Sequence, residues 1–196
     1  MGKNKKVYKI IGIIVVSIMI GGVIAPPTIG LLGSTSPQMA YQDQLDELQK
    51  RYENDSEDYQ ALIDMARLKS SAANFYISED NYNRAEKYLD KAIKNYQTAL
   101  KLTDEDKIEI LLEKSFLYYE LGKYDESEEI MSRAYLLEPE NPEVMHNYAV
   151  ILFNIGKYQS AKEQFVKLSE HEEVSEEEKK AFAEYAEIIE VKLKQD

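Results

Sequence analysis

Apolar and small side chains recur at helical spacing along most of the chain beyond residue 42. The clearest run consists of Ile108, Leu111, Leu112, Ser115, Phe116 and Tyr119. Positions that repeat every three to four residues share one side of an α-helix, so this run predicts an amphipathic helix. Gly122 comes next and accepts the positive φ that is common just after a helix end. A second helix is predicted from Tyr124, and the pattern as a whole indicates an all-α fold.

Two segments of the chain align without a gap at a spacing of 34 residues. The motif Gly122-Lys123-Tyr124 matches Gly156-Lys157-Tyr158, and the flanking pairs share residue class: Leu111 with Met145, Ser115 with Ala149, Met131 with Phe165, Ala134 with Leu168. A fixed period predicts a repeat architecture, and 34 residues is the period of the tetratricopeptide repeat. Residues 108–141 and 142–174 resemble this family, with Pro139 at the place of its closing proline. The resemblance implies a right-handed α-solenoid of about three tetratricopeptide-like hairpins.

The first predicted hairpin, within residues 43–107, is longer than the others. Its turn has Asp80 in the place of glycine and is followed by Tyr82, which lies 42 residues before Tyr124. Eight residues beyond the regular period correspond to about two helical turns, or ~12 Å. We therefore expect helices of roughly Asp58–Ser78 and Tyr82–Leu102, which project past their neighbours.

Both ends of the predicted array carry an additional helix. Before the first hairpin, helical spacing relates Tyr41, Leu45, Leu48 and Tyr52. We expect this short helix to cap the first repeat, although it could instead pair with a copy of itself. After the last repeat, Ser175 and Glu178 form a predicted capping box that begins a C-terminal capping helix in residues 175–196. One apolar face and one polar face suit a helix that closes a repeat array.

The first 42 residues differ from the rest of the chain in charge and hydropathy. Four lysines lie within residues 1–9, no other charge precedes Asp43, and residues 10–25 are almost wholly apolar. We predict a basic cytoplasmic N-terminus (1–9), a transmembrane anchor (10–32) and a linker (33–42). The positive-inside rule then places the remaining residues outside the cytoplasmic membrane, on a single-pass protein. The alternative is a signal peptide cleaved before Pro26, which would release a secreted domain.

Small residues recur along one side of this predicted membrane helix, at Ser17, Gly21 and Ala25. Such a row permits close packing of two helices in lipid. The alternative is that small residues are simply common in membrane helices.

Composition and charge exclude several functions. The formal net charge is −12 overall, and the first 42 residues contribute +4, so the remainder carries −16. This acidity disfavours nucleic acid as a partner, because phosphates require lysine and arginine. The chain has no cysteine and no glycine-rich phosphate loop. His171 lacks the second histidine of a zinc-protease helix, and His146 has no catalytic neighbours in sequence, so we predict no enzyme, no cofactor, no metal site and no small-molecule substrate.

The family resemblance implies a concave groove lined by the first helix of each hairpin. Transferred to this chain, the groove residues are Arg67, Asn74, Glu109, Leu112, Phe116, Tyr119, Glu120, Glu143, His146, Val150, Phe153 and Asn154. Some relatives bind a C-terminal carboxylate there with asparagine and cationic residues. Ser70, Glu113 and Glu143 occupy those places here, which argues against a carboxylate clamp.

Together these features predict a membrane-anchored tetratricopeptide scaffold or adaptor. The groove, aromatic at its centre and acidic at its rim, would bind protein segments that carry apolar anchors and basic residues. We expect such a protein to help assemble or stabilise envelope complexes. The alternative is a permanent structural subunit of a membrane complex, held by its transmembrane helix and long first hairpin.

Overall fold

A computed structural model describes residues 37–103 and 107–195 of the chain. These residues form only helices and their connecting turns, namely α1 (Pro37–Asn54), α2 (Tyr59–Ser78), α3 (Tyr82–Leu102), α4 (Ile108–Glu120), α5 (Tyr124–Leu137), α6 (Pro142–Asn154), α7 (Tyr158–Glu170) and α8 (Glu176–Leu193). Gly122 separates two compact units. Helices α1–α4 belong to the N-terminal unit and α5–α8 belong to the C-terminal unit.

The predicted membrane anchor lies outside the described residues. This applies to the basic segment 1–9, to the anchor 10–32 and to its small-residue row at Ser17, Gly21 and Ala25. In the part of the chain that is described, no helix combines the length and the apolar character needed to cross a membrane.

The predicted linker 33–42 is wrong in its C-terminal half, because α1 already begins at Pro37. Proline is favoured at the first position of a helix, where its fixed φ fits and its missing N–H would have no intrahelical partner.

The long first hairpin is present in the N-terminal unit as α2 and α3, of 20 and 21 residues. Side-chain caps begin both helices: the Asp58 carboxylate accepts from the Ala61 N–H, and the Asn81 side-chain oxygen accepts from the Arg84 N–H. Between them Asp80 has φ 56°, in the same left-handed region as Gly122 and Gly156. Aspartate tolerates this region better than most residues, so it can replace the glycine of the other two turns.

Alanine allows α2 and α3 to approach closely. Ala85, Ala92 and Ala99 recur every seven residues on α3 and are buried, as are Ala66 and Ala73 on α2. Larger side chains then close the N-terminal unit from both sides: α1 contributes Leu45, Leu48 and Tyr52, and α4 contributes Ile110 and Leu117. The predicted cap on the first repeat is therefore α1, which packs against α2.

The C-terminal unit has its own core between α6, α7 and α8. Ala149 and Ala161 are fully buried in this core. Phe165 on α7 is also fully buried, with its ring centroid 6.1 Å from that of Phe182 and 5.4 Å from that of Tyr185. The predicted capping box is confirmed: the Ser175 hydroxyl accepts from the Glu178 N–H, and the Glu178 carboxylate accepts from the Ser175 N–H.

This packing predicts a large loss of stability from two substitutions in the C-terminal unit. Ala149→Leu should overpack the core and lower the free energy of unfolding by roughly 1–3 kcal/mol. Phe165→Ala should leave a cavity and lower it by roughly 3–5 kcal/mol. Urea denaturation followed by circular dichroism measures both values. Leu136→Ala is the control, because Leu136 is 80% exposed; equal midpoints for all variants would contradict the assigned core.

Candidate protein-binding surfaces

In the N-terminal unit, the groove residues predicted on α2 and α4 are joined by the side chain of Arg67. Its Nη2 atom lies 2.6 Å from Glu113 Oε1, and its Nε atom lies 3.0 Å from the same oxygen. Arg67 also bonds the carboxylate of Glu109, one turn earlier on α4. The buried Tyr96 on α3 donates a hydrogen bond from its hydroxyl group to the Glu113 carboxylate. One carboxylate therefore links three helices.

In this network the charge of Arg67 is balanced by two carboxylates of the same chain. Hydrogen bonding to Glu113 raises the pKa of the Arg67 guanidinium, and the charges of Glu113 and Glu109 act in the same direction. Burial raises the pKa of Tyr96, and the Glu113 carboxylate raises it further, so the tyrosine remains a donor. A cation already engaged by two carboxylates is poorly placed to bind a ligand carboxylate. The network thus adds a structural reason to disfavour a carboxylate clamp.

The face of α4 beyond this network is partly open. Leu112, Phe116 and Tyr119 are half-buried and follow one another at helical spacing, while Glu109 is 61% exposed in its side chain. Asn74 on α2 is exposed as well. We define the α4 surface as the four residues Leu112, Phe116, Tyr119 and Glu120.

Glu120 is the chemically unusual member of the α4 surface. Burial raises the pKa of its carboxyl group to about 7. Its Oε2 atom is buried and forms no hydrogen bond within the described part of the chain. Burying a carboxylate without a partner is costly, so the protonated form is favoured up to about pH 7. A cation brought by a ligand would reverse this preference.

The equivalent positions of the C-terminal unit do not form an open groove. Val150 and Phe153 were predicted to face the groove, but both are buried in the core of this unit, and the Phe153 ring lies 5.4 Å from that of Tyr158. His146 packs against the aromatic cluster, 5.3 Å from the Phe182 ring of α8. Burial lowers the pKa of His146, with partial opposition from the Glu178 carboxylate, so the imidazole is neutral at pH 7.

The remaining predicted residues of the C-terminal unit lie at its surface or bond locally. Glu143 is exposed, and the Asn154 amide donates to the Val150 carbonyl at 2.9 Å. The 34-residue alignment makes Phe116 equivalent to Val150 and Tyr119 equivalent to Phe153, yet their burial differs. The identity of the covering residues, such as Phe182 above His146, is not visible in a repeat alignment. The Arg67–Glu113–Tyr96 network was also missed, and its only sequence signal was a large polar aromatic among the alanines of α3.

No cluster of three or more histidine, aspartate or glutamate side chains suited to a metal ion occurs among the described residues. The chemistry of the α4 surface is therefore that of half-buried aromatic rings beside carboxylates. Such a surface can recognise apolar and cationic groups together.

Comparison with known proteins identifies the repeats. Residues 118–177 and residues 66–98 match two family models, both described as tetratricopeptide repeat. These two segments are tetratricopeptide repeats. The predicted repeat type is thus confirmed, and its fold suggests a scaffold for protein–protein interaction. No curated protein sequence matches this chain significantly.

Several solved structures are similar to this chain. The TPR domain of Arabidopsis OM64 is 16% identical, with 63% of this chain and 96% of that chain covered and a TM-score of 0.42. YrrB, described as a TPR protein with an unusual peptide-binding site, is 18% identical, with 76% and 72% covered and a TM-score of 0.45. The second TPR of Spaghetti (RPAP3), bound to an HSP90 peptide, is 19% identical, with 67% and 96% covered and a TM-score of 0.39.

The buried carboxyl of Glu120 predicts a specific dependence of stability on pH. In the unfolded chain this group ionises near 4.5, whereas in the folded chain its pKa is about 7. Between these values the folded state binds more protons, so its stability falls as pH rises. The glutamine side chain of the Glu120→Gln variant cannot ionise, so this variant should not share that loss. Its free energy of unfolding, relative to that of the wild type, should therefore rise by roughly 2–3 kcal/mol from pH 5 to pH 8. Urea denaturation at both pH values measures this gain, and equal pH dependence in the two proteins would contradict it.

Proposed function

We propose that this protein is a membrane-anchored tetratricopeptide scaffold that binds protein segments through the α4 surface. The observation that carries the proposal is the combination of three half-buried side chains, Leu112, Phe116 and Tyr119, with the buried Oε2 atom of Glu120, which has no hydrogen bond within the described residues. Tetratricopeptide repeats suggest protein interaction in general, and this surface supplies a chemistry for it.

The α4 surface favours a partner with an apolar anchor and a nearby lysine or arginine. Phe116 and Tyr119 offer aromatic rings, and aromatic contacts at the centre of an interface carry much of its energy. A partner cation close to the Glu120 carboxyl group would stabilise its ionised form, whose buried Oε2 atom has no hydrogen bond within the described residues. Arg67 cannot balance Glu120 from its present position, because Glu109 and Glu113 already bind it. The acidic rim therefore selects for basic segments.

The proposed location is the outer side of the cytoplasmic membrane, with the N-terminus in the cytoplasm. Four lysines precede the apolar residues 10–25, and no charge follows until Asp43. This asymmetry supports an anchor of the single-pass type. A scaffold held there would gather partners at the membrane and help assemble envelope complexes.

Peptide selection tests the binding proposal. The full-length protein, reconstituted in lipid nanodiscs, is incubated with a random peptide library at pH 7.5. We expect enriched peptides to contain an apolar anchor and lysine or arginine. Tyr119→Ala should weaken their binding by about 30-fold, as expected for an aromatic hot spot worth roughly 2 kcal/mol. Affinity for the wild type should also rise from pH 5.5 to pH 7.5, because Glu120 ionises over this interval, and Glu120→Gln should remove that rise.

Tyr82→Ala is the matched control for the peptide experiment. Tyr82 is an exposed tyrosine of the same unit, at the turn of the long hairpin and outside the α4 surface. Its replacement should leave affinity unchanged. Selection of acidic peptides, or equal losses in the Tyr119 and Tyr82 variants, would argue against the α4 surface as the binding site.

Protease accessibility tests the proposed location. In spheroplasts that express the full chain, added protease should digest residues 43–196, and the undigested protein should sediment with membranes. A cytoplasmic marker protein must remain intact in the same sample. Protection of the domain would refute the topology, and a soluble product that begins at Pro26 would show cleavage in place of anchoring.

A further inference from the structure

A cluster of aromatic side chains lies near the turn of the long first hairpin. The Tyr76 ring of α2 stacks on the Tyr88 ring of α3 at 5.3 Å, and the Tyr41 ring of α1 meets Tyr88 edge-on at 5.9 Å. Phe75 contacts Tyr76 at 5.5 Å. Together with Tyr82, at the start of α3, these residues form what we call the aromatic tip. It contains Tyr41, Phe75, Tyr76, Tyr82 and Tyr88.

The core of the N-terminal unit does not require all of these rings. Phe75 is 59% exposed and Tyr82 is 63% exposed, although each is large enough to contribute substantially to a core. Tyr76 and Tyr88 are half-buried, and the Phe75 ring packs against that of Tyr76. The exposed Phe75 ring therefore contacts the stacked pair of Tyr76 and Tyr88 through Tyr76, and exposed apolar patches on small domains mark interaction sites.

Basic side chains accompany the aromatic tip. The Arg84 guanidinium lies 5.3 Å from the centre of the Tyr76 ring, and the Lys91 ammonium lies 5.6 Å from the centre of the Tyr88 ring. Residues 69–94, which contain the hairpin turn, carry five basic and four acidic side chains. The rest of the chain beyond residue 42 is strongly acidic. Arg84 and Lys91 therefore give the aromatic tip two cationic groups for contact with an anionic surface.

The path of the chain brings the predicted anchor to this same end of the hairpin. Helix α1 has Tyr41 at the aromatic tip, while ten residues later Arg51 bonds Asp58 at 2.9 Å, at the start of α2. The N-terminus of α1 thus points to the tip. If the anchor ends at residue 32, the four residues 33–36 span at most about 14 Å. From Pro37 to Tyr41 the helix adds only about 6 Å.

We propose that the aromatic tip docks onto the headgroup region of the membrane that holds the anchor, with Arg84 and Lys91 facing lipid phosphates. The proposal rests on the anchoring described under the proposed function. Tyrosine rings are favoured at membrane–water interfaces because they are amphipathic. Basic side chains near an anionic leaflet are attracted to its surface. A short tether keeps the tip close to the lipid, so even a weak contact is populated.

Docking of this kind would fix the orientation of the N-terminal unit. The long hairpin would stand on the membrane at its turn, with the start of α2 and the end of α3 directed away from the lipid. A 21-residue helix is about 30 Å long, so Leu102 would lie well above the headgroups. Residues at the two ends of α3 should therefore report different surroundings.

Tryptophan fluorescence can test the docking, because the chain contains no tryptophan. Phe75→Trp and Tyr82→Trp are made separately in the full chain and reconstituted in vesicles of phosphatidylcholine and phosphatidylglycerol. Part of the lipid carries a spin label at the headgroup. We expect both variants to lose more than half of their emission to the quencher. Circular dichroism confirms that each variant is folded, and two independent positions guard against a local defect.

Leu102→Trp is the matched control within the same helix. Leu102 is 37% exposed and lies about 30 Å from Tyr82 along α3. It should lose little emission in the same vesicles. A second comparison uses Arg84→Glu with Lys91→Glu in the Phe75→Trp protein, which should lose most of its quenching. The conservative pair Arg84→Lys with Lys91→Arg should retain it.

The outcomes separate the docking proposal from the anchoring on which it rests. Protein that fails to float with the vesicles overturns both. Protein that floats, yet shows equal quenching at Phe75→Trp and Leu102→Trp, overturns docking and leaves anchoring intact. A blue shift at Phe75→Trp without lipid quenching indicates contact with a second protein and also overturns docking. Unchanged quenching after charge reversal overturns the role assigned to Arg84 and Lys91.

Discussion

A pair of amphipathic helices cannot bury both of its apolar faces without a further layer, and each unit of this protein follows from that constraint. Alanines on α2 and α3 bring the two helices of the long hairpin together, and larger side chains from α1 and α4 then cover the outer faces. In the C-terminal unit α8 supplies the covering layer over α7. Stability in a repeat protein therefore depends on neighbours as much as on the hairpin itself.

Within this apolar packing, the N-terminal unit contains a polar network centred on Glu113. Glu113 receives hydrogen bonds from Arg67 and Tyr96, so three helices meet at a single carboxylate. Buried charges are tolerated when they are paired and hydrogen-bonded, and they are costly when one partner is missing. Arg67 and Glu120 illustrate both cases on neighbouring helices: the arginine is satisfied within the chain, whereas the buried oxygen of Glu120 has no such partner among the described residues.

Two surfaces of the N-terminal unit give the proposed functions a physical basis. The α4 surface combines aromatic rings with a carboxyl group whose pKa burial raises to about 7, so a nearby cation would shift it toward its charged form. The aromatic tip offers the opposite charge preference, because Arg84 and Lys91 lie on its rings. One unit thus presents two chemically distinct surfaces, one suited to basic protein segments and the other to an anionic lipid surface.

Much of this structure was determined by local sequence. The helix limits of the long hairpin, the turns at Asp80, Gly122 and Gly156, and the Ser175 capping box depend on spacing, backbone φ and side chains within a few residues. Helix packing decided the rest. Phe116 and Phe153 both lie on the first helix of a repeat, but Phe153 is buried in its core and Phe116 remains half-exposed, because burial depends on residues that are distant in sequence. The pairing of Arg67 with Glu113, 46 residues apart, and the meeting of Tyr41 with Tyr88 likewise required the tertiary structure.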